Sequence, residues 1–424
     1  MKSAGLTFAI AATGALQAMA AAPAIHNLGT LGGDFSTGNA INNSGQVTGW
    51  SRSANGLGRA FLYTPAPGGG TMANLGTLSA VGGSIGYAIN DAGQVVGDST
   101  FDDTYRQRAF LYTGTPGSDG TMHNLGVLYD GFESFARSIN AAGHVVGASS
   151  YVPMVGDYRT DGFLYTGTPG SGGAMIPLIG ISAGDINDAG QLAGGRKIYT
   201  PAPGGGWTET DIGTLGGILG GANAINNAGQ VTGRSEIAGP VPLLSPQHAF
   251  LYTGGTMFDL GTLPGDTHSG GLDINAAGHV VGWSNVEGFL AGGRAFLYTG
   301  TPGVNGQMID LNAWLDTNNP IEGANWTLLE ARGINDYGLI TGEGIFNDGP
   351  GGLSDGTRAF TLDASSLVPE PSSALLVALG GVGLLARRRK PVLSGGSAAA
   401  ELLGVASGIT CQRQCLVRVT NEPA

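Results

Sequence analysis

Short segments rich in aromatic and aliphatic residues recur along the chain and predict buried β-strands. RAFLYT spans Arg59–Thr64, Arg108–Thr113 and Arg294–Thr299, HAFLYT spans His248–Thr253, and DGFLYT spans Asp161–Thr166. Successive side chains of a strand point to opposite faces, and here both faces are largely apolar. A strand of this kind is covered on both faces, as it is when its sheet lies between two other sheets.

A second phrase, I-N-x-x-G-Q/H-V, predicts a hairpin turn between two strands. In AINDAGQVV, Ala88 and Ile89 end one strand and Gln94 starts the next. Gly93 can adopt the positive φ that closes such a turn, and the Asn90 side chain can bond to the backbone two residues further on. A third phrase, N/D-L-G-T-L, follows RAFLYT after a Gly- and Pro-rich loop and predicts the fourth strand of each unit.

The three phrases recur seven times in one order, and the turn asparagine marks each unit. These residues are Asn42, Asn90, Asn140, Asn187, Asn226, Asn275 and Asn335, between 39 and 60 residues apart. Repeats of about this length are typical of propellers, solenoids and other arrays. We therefore predict an all-β fold, a seven-bladed β-propeller-like array of four-stranded repeats, with a β-solenoid as the alternative.

The two ends of the array favour a closed ring. A lone copy of the third phrase, Asn27–Leu31, opens the array, and RAFTLD at Arg358–Asp363 closes it. These two strands are neighbours inside every internal unit, so the last strand can pair with the first and leave few edges exposed. The fourth unit, residues 176–200, is short, and we expect its blade to be incomplete.

Residues 1–20 have the features of a secretory signal peptide. Lys2 precedes an apolar stretch, and Ala18-Met19-Ala20 forms a small-x-small site with cleavage expected after Ala20. The apolar stretch predicts an N-terminal signal helix, and the mature chain begins near Ala21.

The C-terminal region combines three features in a fixed order. Pro369-Glu370-Pro371 precedes an apolar run at residues 374–386, which predicts a short helix, and the basic cluster Arg387, Arg388 and Arg389 follows. A membrane-spanning helix needs about 20 apolar residues, so this run is typical of a transient anchor. The basic cluster would remain on the cytoplasmic side, with the repeats outside.

Residues 367–390 resemble the PEP-CTERM sorting signal of Gram-negative bacteria. The resemblance implies that an exosortase-type enzyme recognises Pro369, Glu370 and Pro371 and processes the tail during export, after transient anchoring in the inner membrane. The family is associated with producers of exopolysaccharide and biofilm, which implies a location at the outer cell surface or in the extracellular matrix. Residues 391–424 extend beyond the usual end of such signals, and we expect this atypical tail to be disordered.

The repeats at residues 21–366 resemble the HAF family of extracellular repeats. His248-Ala249-Phe250 matches the name of the family literally, and the other copies mostly carry Arg in place of His. The resemblance rests on LGTLGG, INxxGQVxG and AFLYT together and covers Asn27 to Leu362. It implies an extracellular repeat domain and supplies no catalytic residues.

Composition narrows the possible partners. The net charge is −12, and only 12% of the residues are charged. Binding of nucleic acid depends on clustered Lys and Arg, so this class of partner is excluded. The two cysteines, Cys411 and Cys415, lie beyond the repeats, so no disulfide framework holds the repeat domain.

Residues repeated in every unit build the unit, whereas residues that occur once are free to serve a site. The seven asparagines are therefore turn residues, and a calcium alternative lacks the six to eight oxygen ligands that the ion takes. The histidines have no metal-type spacing. They are His26, His123, His144, His248, His268 and His279.

Two sets of non-repeated side chains are candidates for chemistry. Carboxylates stand in three insertions, at Asp102, Asp103, Asp266 (with His268), Glu343 and Asp348. Paired carboxylates serve glycoside hydrolysis, so convergence of Asp103, Asp266 and Glu343 would favour an enzyme. The aromatic residues that could stack on sugars, each with core packing as the alternative, are Tyr105, Tyr129, Tyr151, Trp207, Trp283 and Trp326.

We expect an exported, non-enzymatic surface or matrix protein that binds or organises exopolysaccharide or other biofilm components. No cofactor, metal ion or catalytic residue is predicted. One alternative is a propeller-type glycoside hydrolase or polysaccharide lyase, which carboxylates converging at the central channel would support. The other is a cell-surface protein-binding module, which aromatic side chains on one rim would support.

Overall fold

Seven four-stranded antiparallel sheets form a closed ring in the computed structural model, which describes residues 22–154, 156–239, 245–286, 293–349 and 355–368. Each sheet is one blade. In six blades the strands pair in the order of the sequence, and the seventh adds the N-terminal strand beside its last one. The first strand of each blade lines a central channel. The prediction of an all-β propeller is confirmed, and the solenoid alternative is wrong.

The strand β1 (Ile25–Asn27) precedes the first blade. Blade 1 contains β2 (Gly32–Ile41), β3 (Val47–Ser53), β4 (Gly58–Ala66) and β5 (Gly69–Asn74). Blade 2 contains β6 (Ser84–Ile89), β7 (Val95–Thr100), β8 (Gln107–Thr113) and β9 (Thr121–Asn124). Blade 3 contains β10 (Glu133–Ile139), β11 (Val145–Met154), β12 (Asp157–Thr168) and β13 (Ser171–Leu178). Blade 4 contains β14 (Asp185–Ile186), β15 (Leu192–Gly194), β16 (Lys197–Pro201) and β17 (Trp207–Asp211).

Blade 5 contains β18 (Gly216–Ile225), β19 (Val231–Ile237), β20 (Gln247–Thr253) and β21 (Thr256–Gly261). Blade 6 contains β22 (His268–Ile274), β23 (Val280–Asn285), β24 (Arg294–Thr299) and β25 (Gln307–Asp310). The helices α1 (Leu311–Asn318) and α2 (Pro320–Gly323) lead to blade 7, which contains β26 (Trp326–Ile334), β27 (Leu339–Phe346) and β28 (Gly356–Asp363). A 3₁₀ helix follows at Ser365–Leu367.

The N-terminal strand closes the ring. β1 pairs antiparallel with β28, with Ile25 opposite Leu362 and Asn27 opposite Phe360, so blade 7 takes its fourth strand from the start of the chain. Blade 4 is complete, contrary to expectation, although β14 and β15 have only two and three residues.

The predicted signal helix with Ala18 and Ala20, and the C-terminal apolar helix with Pro369, Glu370, Pro371, Arg387, Arg388 and Arg389, lie outside the described residues. Among the residues that the structure describes, no helix is long and apolar enough to cross a membrane.

The AFLYT strand packs against a neighbouring blade on each face, as its pattern predicts. Phe110 of blade 2 packs with Ala60 and Leu62 of blade 1, whereas Leu111 packs with Phe163 of blade 3. The equivalent phenylalanine is fully buried in six blades. Burial of one such side chain stabilises the fold by about 1.5–3 kcal/mol, so the repeated strand holds the stack of blades together.

The glycine of the V-x-G sequence is required by close packing beneath that phenylalanine. A Cβ atom at Gly97 would lie 1.8 Å from the carbonyl oxygen of Ile85 and 3.0 Å from the Phe110 ring. No side chain fits there, which explains why the glycine recurs.

The turn asparagines form a closed ring of hydrogen bonds around the channel. Each Nδ2 donates to the backbone carbonyl oxygen of the asparagine in the next blade, over 2.9–3.3 Å, and Asn335 of blade 7 donates to Asn42 of blade 1. All seven side chains are buried. The asparagines are turn residues, as predicted, and they also join the blades, which the sequence did not indicate.

Chain direction defines two faces of the ring. The asparagine turns lie on one face, which we call the Asn face. The loops between second and third strands, and the connections between blades, lie on the opposite face, which we call the connector face.

Replacement of a ring asparagine by its isosteric acid is expected to destabilise the fold. In Asn90→Asp, Oδ1 still accepts from Ala92 N and Gln94 N, but the donor to Asn140 O and Gln94 Oε1 is lost. Buried acceptors then face each other, which costs about 2–4 kcal/mol. Urea unfolding measures the loss.

Asn124→Asp is the matched control. Asn124 is exposed, and its Oδ1 accepts only from Gly126 N, a bond that an aspartate also makes. Its free energy of unfolding should change by less than about 0.5 kcal/mol. Equal losses in the two variants would contradict the role of the ring.

Candidate binding site

The channel wall carries the side chains that differ most between blades. In six blades a β-bulge lies three residues before the turn asparagine, and its residue lines a cavity of about 360 Å³. The bulge residues are Asn39, Tyr87, Arg137, Asn223, Leu272 and Arg332. A bulge turns one side chain toward the channel while the strand pairing continues on either side of it. The residue at this position can therefore differ between blades without disturbing the repeat.

Asp98 forms a buried charged group with two of these residues. Its carboxyl is hydrogen-bonded to Tyr87, and the Arg137 guanidinium lies 4.8 Å from the centre of the Tyr87 ring. Burial raises the pKa of Asp98 to about 6, although the Tyr87 hydrogen bond and the Arg137 charge lower it. Asp98 Oδ1 is buried without a hydrogen-bond partner. Asp98 therefore changes charge within the range of mildly acidic pH.

Two further aspartates occupy one repeat slot in the channel wall. Asp185 accepts from Ile186 N and from Ile225 N of the next blade, and Asp273 accepts from Ile274 N and from Ile334 N of the next blade. Burial raises the pKa of both carboxyls, that of Asp273 to about 6. The sequence analysis missed this pair, although D-I-N in place of A-I-N marks it.

A third channel group joins two glutamates through Arg332. The guanidinium lies 2.8 Å from Glu330 and 3.7 Å from Glu343, which face each other on β26 and β27. Burial raises the pKa of Glu330, and the Glu343 charge adds to the effect. The shared arginine balances this pair of carboxylates.

Six aromatic side chains lie on the connector face of blades 2 and 3. We call this group the aromatic surface, and it comprises Phe101, Tyr105, Tyr129, Phe132, Tyr151 and Tyr158. Tyr129 and Tyr151 meet edge to face at 4.8 Å, as do Phe132 and Tyr158 at 6.0 Å. Four of the five exposed aromatic side chains among the described residues belong to it.

Arg108 connects the two halves of this surface. Its guanidinium lies 4.8 Å from the centre of the Phe101 ring and donates to the carbonyl oxygen of Phe132. The loop of blade 2 is thereby held against the connection that leads into blade 3.

The loops that present the aromatic surface are strained. Tyr105, Tyr129 and Asp130 have φ values of 60°, 53° and 54°, and no other non-glycine residue in the described ranges has positive φ. Such conformations cost on the order of 1–3 kcal/mol each and concentrate at functional sites. Asp102 Oδ1 accepts from Thr104 N and Arg106 N, which closes the loop around Tyr105. The Thr104 hydroxyl bond lowers the pKa of Asp102.

Blade 3 extends this surface outward. Its strands β11 and β12 have 10 and 12 residues, and Tyr151 and Tyr158 lie near the end of their hairpin. Tyr158 is 76% exposed, and the hairpin also exposes Val152 and Met154. The hairpin thus adds exposed apolar side chains to the outer edge of the aromatic surface.

The predicted carboxylates occupy separate environments. Asp103 is exposed on the blade 2 loop, Asp266 is bound by Arg294 at 2.8 Å, and Glu343 belongs to the Arg332 group. Asp102 holds its own loop, and Asp348 is half-buried after β27. No contact in the described structure joins Asp103, Asp266 and Glu343.

Three of the six predicted aromatic residues are on the aromatic surface. They are Tyr105, Tyr129 and Tyr151. Trp283 and Trp326 are core residues with 5% and 6% exposure, and Trp207 packs on the core of blade 4. The sequence did not indicate Phe101, Phe132 and Tyr158, which lie in the same insertions.

The histidines fill unrelated repeat positions. His248 contacts Asp259 at 2.9 Å, His268 Nδ1 accepts from Gln247 N, His279 contacts Asn275, and His123 contacts Thr113. His144 donates its backbone N–H to Asn140 Oδ1, and His26 lies on β1. Within the described ranges, no group of three or more His, Cys, Asp or Glu side chains is arranged to hold a metal ion.

Comparison with known families identifies the C-terminal segment. A model described as the PEP-CTERM protein-sorting motif matches residues 367–390. The protein is therefore an exported one that an exosortase recognises and that is transiently anchored in the membrane for sorting. No curated protein sequence matches the chain. The motif covers none of the blades, so the resemblance of the repeats to the HAF family stays a prediction.

Asp98→Asn is expected to remove a pH-dependent cost to stability. The pKa of Asp98 is raised in the folded state, so its contribution to stability is most favourable at low pH and is lost as pH rises through about 6. The variant should therefore be more stable than the parent by about 2 kcal/mol at pH 7.5, and the difference should vanish near pH 4.

Thermal unfolding between pH 4 and pH 8 measures this difference. Asp103→Asn, on an exposed loop of the same blade, is the control and should show no such trend. A stability difference for Asp98→Asn that does not change with pH would contradict the assignment.

Proposed function

We propose that this exported protein is a non-enzymatic, polysaccharide-binding propeller that holds exopolysaccharide at the cell surface or in the extracellular matrix through its aromatic surface. The observation that carries the proposal is the concentration of exposed tyrosine and phenylalanine rings on strained loops of one face. Aromatic rings present large, rigid apolar faces with a polar edge, which suits stacking against sugar rings.

Polar groups surround these rings and supply hydrogen bonds to hydroxyl groups. Tyr151 OH donates to Asp161 Oδ2 at 2.9 Å, and Arg159 lies opposite Tyr151 on the neighbouring strand. Asp103 and Asp130 are exposed on the flanking loops. A surface that combines stacking faces with carboxylates and guanidinium groups can bind a chain of sugar units along its length.

The point where the sorting motif joins the ring lies on the face opposite the aromatic surface, which supports the proposed role of that surface. Val368 packs beside Gly338 in the asparagine turn of blade 7, so the chain leaves the ring on the Asn face. The aromatic surface lies on the opposite, connector face.

Hydrolysis has less support than binding. Glu330 and Glu343 lie opposite each other on β26 and β27, but Arg332 contacts both. An acid and a base for glycoside hydrolysis need a sugar bond between them, and here the arginine occupies that position.

Tyr129→Ala combined with Tyr158→Ala should weaken binding of the full-length exported protein to polysaccharide. The double variant loses one ring from each edge-to-face pair, and we expect affinity to fall at least tenfold, or about 1.4 kcal/mol. Affinity electrophoresis in gels that contain dextran, galactomannan, laminarin, alginate or hyaluronate measures the change.

Tyr337→Ala provides the matched control, because Tyr337 is 54% exposed in an asparagine turn on the Asn face. It should bind as the parent does. Shortening of the polymer, followed by size-exclusion chromatography, would overturn the non-enzymatic assignment. Absence of binding to every polymer would overturn the proposal and direct attention to a protein partner.

A further inference from the structure

The central cavity of about 360 Å³ opens on the Asn face, and we call it the Asn-face cup. Its floor consists of the bulge side chains of the first strands, and its rim consists of the residues that follow the ring asparagines. The rim residues Asp91, Asp188 and Asp336 are exposed to solvent. The volume of the cup lies within the roughly 300–1,000 Å³ that is typical of small-molecule sites.

Arg137 supplies a positive charge on one side of the cup. Its side chain is exposed there, and its guanidinium lies 4.8 Å from the centre of the Tyr87 ring and 5.9 Å from that of Phe135. Within the described ranges Arg137 forms no ion pair, whereas Arg332, the other arginine of the lining, contacts two glutamates. Asp98 feels the Arg137 charge but is hydrogen-bonded to Tyr87 and does not line the cup. The Arg137 guanidinium can therefore bind an anionic group of a ligand.

Two carboxylates supply negative charge on the opposite side of the cup. In a closed ring of seven, blade 3 with Arg137 lies opposite blades 6 and 7, whose lining residues include Asp273 and Asp336. The charged groups that act on Asp273 are themselves carboxylates, those of Asp185 and Asp336. Like charges gathered around a cavity attract a cation, so this side favours the positive end of a ligand.

Both carboxylates keep acceptor capacity toward the cup. Asp273 accepts one backbone N–H at each oxygen, from Ile274 and from Ile334. Asp336 likewise accepts one hydrogen bond at each oxygen. A carboxylate has about four acceptor sites, so each of the two can accept further hydrogen bonds from an ammonium group. The bonds to the protein meanwhile hold both carboxylates in fixed orientations.

We propose that the Asn-face cup binds a small linear zwitterion, such as an ω-amino acid or a dipeptide, with its carboxylate at Arg137 and its ammonium group at Asp273 and Asp336. Because the binding groups lie on opposite sides of the cavity, the ligand carries its two charges at the two ends of a short chain. The site is separate from the aromatic surface, which lies on the connector face.

Three ligands of equal chain length test this charge pattern. ε-Aminocaproate carries both charges, hexylamine carries only the ammonium group, and caproate carries only the carboxylate. Titration calorimetry with the full-length exported protein should show that ε-aminocaproate binds about tenfold more tightly than hexylamine, because only the zwitterion also bonds to Arg137. Caproate should bind most weakly, because the carboxylates of the cup repel it.

The repeat itself supplies variants that suit the fold. Arg137→Asn introduces at the bulge the residue that blades 1 and 5 carry, Asn39 and Asn223, and Asp273→Ala introduces the residue that blade 2 carries, Ala88. Arg137→Asn should lower the affinity for ε-aminocaproate about tenfold and should not weaken the binding of hexylamine. Asp273→Ala should weaken the binding of both amines, because it removes the partner of the ammonium group.

Asp336→Asn provides a second test of the ammonium end if Asp273→Ala lowers stability. Blades 1 and 5 carry an amide at this position, Asn43 and Asn227. Asp336 is exposed, so we expect the affinity for both amines to fall about fivefold.

Asp119→Asn is the matched control on the same face. Asp119 is exposed in the loop between β8 and β9, outside the lining of the cup, and its Oδ1 accepts from Thr115 N. Asn305 makes the same bond to Thr301 N in blade 6, so the exchange keeps the loop intact. This variant should bind all three ligands as the parent does.

The outcomes decide between a zwitterion site and its alternatives. Equal affinity of the parent for ε-aminocaproate and hexylamine, or unchanged binding of ε-aminocaproate by Arg137→Asn, overturns the assignment of Arg137. Unchanged binding of the amines by both aspartate variants overturns the ammonium site. Absence of binding of all three ligands overturns the whole inference and leaves the polysaccharide proposal, which concerns the other face, untouched.

Discussion

The fold depends on one buried hydrogen bond that is made seven times. Each turn asparagine closes its own hairpin through Oδ1 and donates from Nδ2 to the backbone of the next blade. A buried amide without partners is costly, so the turn is satisfied only when the neighbouring blade is in place. The last bond, from Asn335 to Asn42, requires that the array close on itself. The same seven side chains therefore set the turn geometry of each blade and the closure of the ring.

Because that bond and the AFLYT core repeat at each junction, other positions can change without loss of the fold. The channel wall uses this freedom through its bulges, which carry Tyr87, Arg137 and Arg332. The connector face uses it through insertions. Blades 2 and 3 carry the insertions that form the aromatic surface, and Tyr151 OH donates to Asp161 Oδ2 beside it.

Carboxyl groups are buried in and beside the channel but exposed on the connector face. Asp185 and Asp273 line the channel, and Asp98 and Glu330 contact its lining residues Tyr87 and Arg332. Burial raises the pKa of all four carboxyls, so the charge in and beside the channel changes with pH. Beside the aromatic surface, Asp103 and Asp130 are exposed on surface loops, where water and salt screen their charges. A change of pH therefore acts on the stability of the ring.

The sequence by itself determined the number of blades, the pairing of the two chain ends and the sorting motif, because these follow from local periodicity and short motifs. It misplaced the fourth strand of most units, since L-G-T-L follows that strand instead of forming it, and the closing strand is Ile25–Asn27 instead of Asn27–Leu31. It also marked Tyr105, Tyr129 and Tyr151 as candidates, since each interrupts the repeat. Only the tertiary structure decided which of them share a surface, and that Asp103, Asp266 and Glu343 do not meet. Proximity between insertions of different blades, and the bond from one asparagine to the next, depend on how the ring closes, which no local pattern encodes.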